Sequence, residues 1–286
     1  MGAFHINRML FPEGKRKALT FSYDDGRVHD RRLVKMMDEA GVKGTFNLNT
    51  RNLGMVETME MDGRCVDDST ITAEEIPHLF KRHEVATHAS KHSAVTACGS
   101  AALYEILEDR KILEDIVPYM VLGHAYPFGI YDQDSFAMLK AAGIRYARTV
   151  VSTGGFGLPG NFLEWHPTCH HADGRLMDLA RAFCEKEPPY GDPQLFYVWG
   201  HSFEFDRQDN WEIMENLLSY LSGYADQIWM ATNMEIVDYV TAYQNLVFSA
   251  DGMKVYNPSV HTVWMESTGE IYQVPPGERI VFAATS

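Results

Sequence analysis

Short β-type runs alternating with amphipathic helical stretches predict an α/β chain with parallel strands and crossover helices, in a barrel or a wound sheet. Three observations carry that prediction. Seven β-type runs recur between residues 18 and 231, helical patterns lie between them, and each chemistry-bearing motif follows a strand directly. In barrels of this kind chemistry gathers at the C-terminal ends of the strands.

The first run, Ala18-Leu-Thr-Phe-Ser-Tyr-Asp-Asp-Gly26, is also the most informative. A strand over Ala18–Tyr23 delivers two adjacent acids, Asp24 and Asp25, to the rim of a sheet. Ionised neighbours repel, so the pair implies a bound cation or a shared proton. A polar Asp-Gly turn is the plainer alternative. The other expected strands are Lys43–Leu48, Glu84–Thr87, Met120–Ala125, Arg145–Val150, Leu195–Trp199 and Ile228–Ala231. In Asp30–Ala40 the apolar Leu33, Met36, Met37 and Ala40 share one helical face, with Gly41 placed as a C-terminal cap. Thr72 with Glu75 has the spacing of a capping box. Further helices are expected over Ser100–Val117, Asp134–Ala142, Gly174–Glu185, Asn210–Leu221 and Asn233–Tyr243. From about Leu246 the pattern changes to turn signals separated by short β-type runs, so residues 1–245 read as the barrel and 246–286 as a small β-rich appendage packed on it.

Composition bounds what the chain does. A length of 286 residues with 45% hydrophobic and 22% charged content is enough for one large barrel. The formal net charge of −14 argues against a nucleic-acid backbone or an anionic membrane as main partner. No apolar run reaches the roughly 18–20 residues of a membrane span. Met1–Arg8 lacks the apolar stretch of a secretory signal, so a cytoplasmic location is expected. Cys65, Cys98, Cys169 and Cys184 are widely spaced without a CxxC pair and read as buried thiols. Self-association is left open.

Four strand-end motifs carry chemistry. His88 and His92 have the spacing that puts two imidazoles on one side of a turn, although 12 histidines generate such spacings by chance. Two histidines and a carboxylate make a metal site with open positions for water and a substrate oxygen. Ala125-Tyr-Pro-Phe-Gly129 is an irregular segment whose amides could point inward, and Trp199-Gly-His201 places a histidine able to protonate a leaving group.

These motifs together resemble the polysaccharide deacetylases of the family 4 carbohydrate esterases. Ser22-Tyr-Asp-Asp-Gly26 is similar to the family's "TFDDG" element, Ala40-Gly-Val-Lys-Gly-Thr-Phe46 to "gvkATFF", and Thr87-His88-Ala-Ser-Lys-His92 to "H(S/T)xxH". Ala125-Tyr-Pro-Phe128 resembles "RxPY", and Gly200-His201 the "LH" element. The resemblance spans about residues 15–245 and implies a distorted (β/α)7 barrel. It implies Asp24 as general base and His201 as general acid. Asp25, His88 and His92 would be ligands of a divalent metal, usually zinc, with cobalt or nickel as alternatives. Phe128 would supply an oxyanion-hole amide, beside Tyr126. Two departures stand out. The "RxPY" arginine is Ala125, leaving Arg148 or Arg27 to partner Asp24, with Arg148 favoured; the family's Asp-Trp tether for the acid histidine has no counterpart, though Glu204 lies three residues past His201. In the connection after the fifth expected strand, Trp165 could stack on a sugar and His166 or His170 could line the site.

The implied activity is metal-dependent removal of acetyl groups from an N- or O-acetylated carbohydrate. Two alternatives keep the barrel: an amidase or imidase on a small nitrogen compound, and a carbohydrate-binding relative without catalysis.

Overall fold

The structure, a computed structural model, describes residues 7–61, 63–96, 100–267 and 269–283; Cys98 lies outside them. Eight parallel strands make the central sheet: β1 (Lys17–Asp24), β2 (Thr45–Leu48), β3 (Glu84–Thr87), β4 (Gly123–Ala125), β5 (Tyr146–Arg148), β6 (Cys169–His170), β7 (Gln194–Gly200) and β8 (Ile228–Met230). Their order is β5-β4-β3-β2-β1-β7-β6, with β8 also paired to β1. β7 follows β1 along residues 17–23, whereas β1's other edge is shared, β8 taking residues 17–19 and β2 residues 22–24. Two neighbours diverging from one edge curl the sheet into an open barrel. The seven expected strands are present, Glu84–Thr87 with its expected ends and the others shifted at one or both; β6, only two residues long, was not anticipated.

The helices are α1 (Asp30–Glu39), α2 (Ile76–Leu79), α3 (Ser100–Ile116), α4 (Gln133–Ala141), α5 (Leu176–Glu185), α6 (Phe203–Gln208), α7 (Glu212–Ser222) and α8 (Asn233–Gln244). Among the described residues no helix is long and apolar enough to cross a membrane. The expected capping box at Thr72 and Glu75 opens only the single turn of α2: the Glu75 carboxylate accepts the Thr72 N–H at 2.8 Å, while the helix starts at Ile76. Helix α6 was not expected.

β1 is buried on both faces, as parallel strands between helices are. Leu19, Phe21 and Tyr23 join the large core under the helices. The alternate side chains Thr20, Ser22 and Asp24 are polar and meet polar partners: Thr20 hydrogen-bonds Asn233 at 2.9 Å, and Asn47 donates to Ser22 at 2.8 Å. Strand alternation therefore aims Asp24 at this polar interior.

The β appendage is not confined to the C-terminal segment. Asn7–Leu10 pairs antiparallel with Val263–Ser267, which pairs with Glu270–Val274. A second small sheet joins Val247–Phe248, Lys254–Tyr256 and Arg279–Val281. Val255, Val263, Met265, Val274 and Phe282 pack with Ala242 of α8. Of the cysteines, Cys169 and Cys184 are buried, but Cys65 is exposed on the Thr58–Asp67 hairpin, against the expectation of buried thiols.

Candidate active site

Asp24 is the last residue of β1 and 2% exposed. A buried carboxylate is costly to ionise unless paired. Asn47 of β2 donates to its Oδ1 at 2.8 Å, and Arg148, wholly buried at the end of β5, donates to its Oδ2. Burial pushes the Asp24 carboxyl up, but Arg148, His88 and His201 outweigh it and hold it at about 2. Arg148 is itself fixed by the Thr149 carbonyl at 3.3 Å and by the Trp199 ring, 4.5 Å below its guanidinium. Arg27 is engaged elsewhere, on Asp68 at 3.1 Å. The cation missing from position 125 thus comes from the following strand.

Asp25 follows in a left-handed conformation, φ +77°, before the Gly26 turn. Its Oδ1 lies 3.8 Å from both His88 Nε2 and His92 Nε2. Metal bonds of about 2.1 Å place neighbouring donors roughly 3.0–3.5 Å apart, so a small contraction completes the set. The tautomer of His88 also suits ligation. Its Nδ1 lies 2.8 Å from the Ala125 carbonyl, which only accepts, so Nδ1 carries the hydrogen and Nε2 keeps its lone pair. Behind it, Asp109 of α3 accepts the His88 N–H at 3.0 Å and the Thr50 N–H at 2.9 Å. Seven non-glycine residues have positive φ among the described residues, and Asp25, Ala89, His92 and Phe128 of these stand at this rim. Such concentrated backbone strain marks functional sites.

His201 follows β7 and faces Asp24 across 3.9 Å. Its Nδ1 donates to Glu204 Oε1 at 2.9 Å. Burial pulls the imidazole down, but the Glu204 hydrogen bond and the charges of Asp24 and Asp25 raise it above the usual histidine range. It therefore keeps its proton to higher pH, as an acid requires. Glu204, three residues on in the first turn of α6, stands where the absent tether is needed.

Two expected substrate contacts, Trp165 and Tyr126, require correction. Trp165 is 1% exposed and packs edge-on against Tyr146, Phe162 and Tyr197, so it cannot stack on a sugar. Tyr126 is fully buried and donates its hydroxyl to the Leu163 carbonyl at 2.8 Å; it shapes the loop and meets no substrate. Arg148, buried against Asp24, is the expected partner of that carboxylate rather than an oxyanion contact. Phe128, 64% exposed at φ +58°, does reach the rim, its ring 4.4 Å from His92. His166 hydrogen-bonds Thr149 at 2.6 Å, and His170 lies against Trp199, 6.2 Å from the His201 ring. Asn47 and Asp109 were missed. The only sequence signal for Asn47 was a polar residue inside an apolar strand; Asp109, in mid-helix, gave none.

Residues 12–147 match the polysaccharide deacetylase family. No curated protein matches the sequence. Among solved structures, a Mycobacterium smegmatis protein named as a candidate polysaccharide deacetylase is 17% identical, with a TM-score of 0.57 over 83% of this chain and 94% of its own. A family 4 carbohydrate esterase pseudoenzyme from Bacillus anthracis is 15% identical, with a TM-score of 0.51 over 78% of this chain and 66% of its own. These likenesses speak to the fold, the curled parallel sheet of the distorted (β/α)7 deacetylase barrel. Residues 12–147 therefore match a polysaccharide deacetylase domain, and beyond them the likeness is one of fold.

Proposed function

We propose that the protein is a metal-dependent hydrolase removing acetyl groups from an N- or O-acetylated carbohydrate. The observation that carries this is one rim holding Asp25, His88 and His92 beside an Asp24–Arg148 pair and His201. A divalent ion held by Asp25, His88 and His92, zinc by donor type with cobalt or nickel as alternatives, would supply Lewis acidity toward water and the acyl oxygen. Asp24, its second oxygen held by Arg148, takes the proton of the attacking water. The Phe128 N–H, presented by the left-handed turn, donates to the developing oxyanion. His201 gives its proton to the departing amine or alcohol, and Glu204 holds the resulting imidazole in place. Each proton transfer contributes about 10²–10⁴-fold.

The test is acetate release from acetylated oligosaccharides by metal-stripped protein, with and without added zinc, cobalt or nickel. Metal-dependent release that is lost in Asp24→Asn, and metal binding lost in Asp25→Ala, are the expected results. Asp25→Ala retaining both metal and turnover would overturn the assignment. Release of ammonia from small amides in place of acetate from sugars would move the substrate to nitrogen compounds.

A further inference from the structure

His170 and His171, at the end of β6, and Glu204 of α6 form a second histidine–carboxylate group behind His201. His171 is 2% exposed, its ring stacked 4.1 Å from Phe205 and 5.8 Å from Tyr23. Its Nε2 lies 3.0 Å from Glu204 Oε2, and His170 Nε2 lies 3.4 Å from the same oxygen. Glu204 Oε1 accepts from His201 Nδ1.

Two chemistries fit such a group: a cation shared by three ligands, or a carboxylate collecting imidazole N–H donors. The tautomers separate them. The Ala172 N–H, which only donates, lies 3.1 Å from His170 Nδ1, so that nitrogen holds a lone pair and Nε2 carries the hydrogen. His171 Nδ1 is buried with no partner, while its Nε2 faces a carboxylate oxygen that only accepts. Both Nε2 atoms therefore carry their hydrogens beside Glu204, His171 hydrogen-bonding it and His170 standing 3.4 Å away. His88 has the opposite arrangement, Nδ1 donating outward and Nε2 left for a metal.

We infer that His171, assisted by His170, is a positioning residue that locks Glu204 and through it orients His201; this rests on the acid role proposed above. Without the His171 Nε2–H, Glu204 Oε2 is half-buried with only the more distant His170 beside it, and the side chain is freer to rotate away from His201. The titratable groups facing His201 include Glu204 on its own segment, Asp24 and Asp25 from the end of β1, Asp30 of α1, His92 from the rim after β3, and His170 and His171 from β6. Burial pulls the last two below the ordinary histidine value, which favours their uncharged, donating forms.

His171→Phe keeps the stacking on Phe205 and Tyr23 but donates nothing, and His171→Gln restores an N–H at similar reach. In zinc-loaded protein, an NMR titration of the His201 ring is expected to show its pKa lowered by about one unit in His171→Phe, a tenfold change, and largely recovered in His171→Gln. The basic limb of kcat should move the same way, with kcat down about 10–100-fold and KM within about twofold of the parent, as expected when only transition-state interactions are lost. An unchanged His201 titration in a folded His171→Phe protein overturns the inference. So does zinc titration giving two ions per chain with one lost in His171→Phe, which would make the group a metal site. Should His171→Phe fail to fold, His170→Phe, at a half-exposed position, gives the same reading with a smaller shift. A wild-type protein that releases no acetate while His201 still shifts would remove the proposed function and leave the positioning intact.

Discussion

Asp24 shows how a single residue's chemistry is set by its partners. Ionised and buried, it depends on Arg148, and removing one partner of such a pair leaves an uncompensated charge. Arg148→Leu is expected to cost about 3–5 kcal/mol of stability, read by denaturant unfolding. The pH dependence follows from the sign of the shift. A carboxyl held down to about 2 contributes stability that is present above its unfolded value and lost as pH falls through about 2. In Arg148→Leu burial acts with less opposition, the Asp24 carboxyl rises, and the acid limb of the activity profile moves to higher pH. An unmoved acid limb would mean that Arg148 does not control the base. Arg148→Lys should recover charge but only part of the activity, because an ammonium lacks the flat face that lies on Trp199.

At the scale of elements, α3 and the rim after β3 are joined through Asp109, which caps two backbone N–H groups with its two oxygens. Burial pushes its carboxyl up to about 7 against those hydrogen bonds, so it stands near the limit of what the site can hold ionised at neutral pH. Of the two N–H groups, Asp109→Leu leaves that of Thr50 buried without a partner, at about 1–3 kcal/mol, and that of His88 with only the Leu48 carbonyl at 3.0 Å. Because one belongs to His88, zinc affinity should fall about 10–100-fold, the usual effect of losing support behind a ligand. Calorimetric zinc titration checks this, and an unchanged affinity would show that the Leu48 carbonyl of β2 is enough to hold the His88 backbone. The same scale explains Glu204: a helical turn after His201 brings a residue three positions on back beside it, which is why a short, unanticipated helix supplies the tether.

At the scale of the whole molecule, the two ends of the described chain are woven into one sheet. Asn7–Leu10 pairs with Val263–Ser267, Tyr239 of α8 donates to the Leu10 carbonyl at 2.6 Å, and Arg8 and Arg16 both meet Glu266. A variant ending at Asn245 loses the partner of its first strand and the burial of Val263, Met265, Val274 and Phe282. Each such side chain contributes about 1.5–3 kcal/mol. That variant is expected to unfold at lower temperature and to expose apolar surface that binds a hydrophobic dye. A barrel that keeps its melting temperature without the segment would show the appendage to be an independent unit.

How much of this was legible in the sequence depended on the range of the interaction involved. Ala18–Asp24 reads as a strand ending in acids because period-two alternation and the Asp-Gly turn are local, and the spacing of His88 and His92 is likewise contained in one turn. The alternation of strands and helices, and hence a parallel barrel or wound sheet, also follows from local periodicity. Trp165 was misread because an aromatic residue in a long loop carries no mark of which way it faces, and only packing against Tyr146 and Tyr197 turned it inward. Asn47, Asp109 and His171 act across 23, 21 and 33 residues of chain, on Asp24, His88 and Glu204. Arg148 reaches Asp24 across 124 residues. Local sequence determined the elements and which chemical groups stand at strand ends. The curl of the sheet decided which of those groups meet, because bringing β5 across the barrel from β1 is a property of strand order and twist that no single segment encodes.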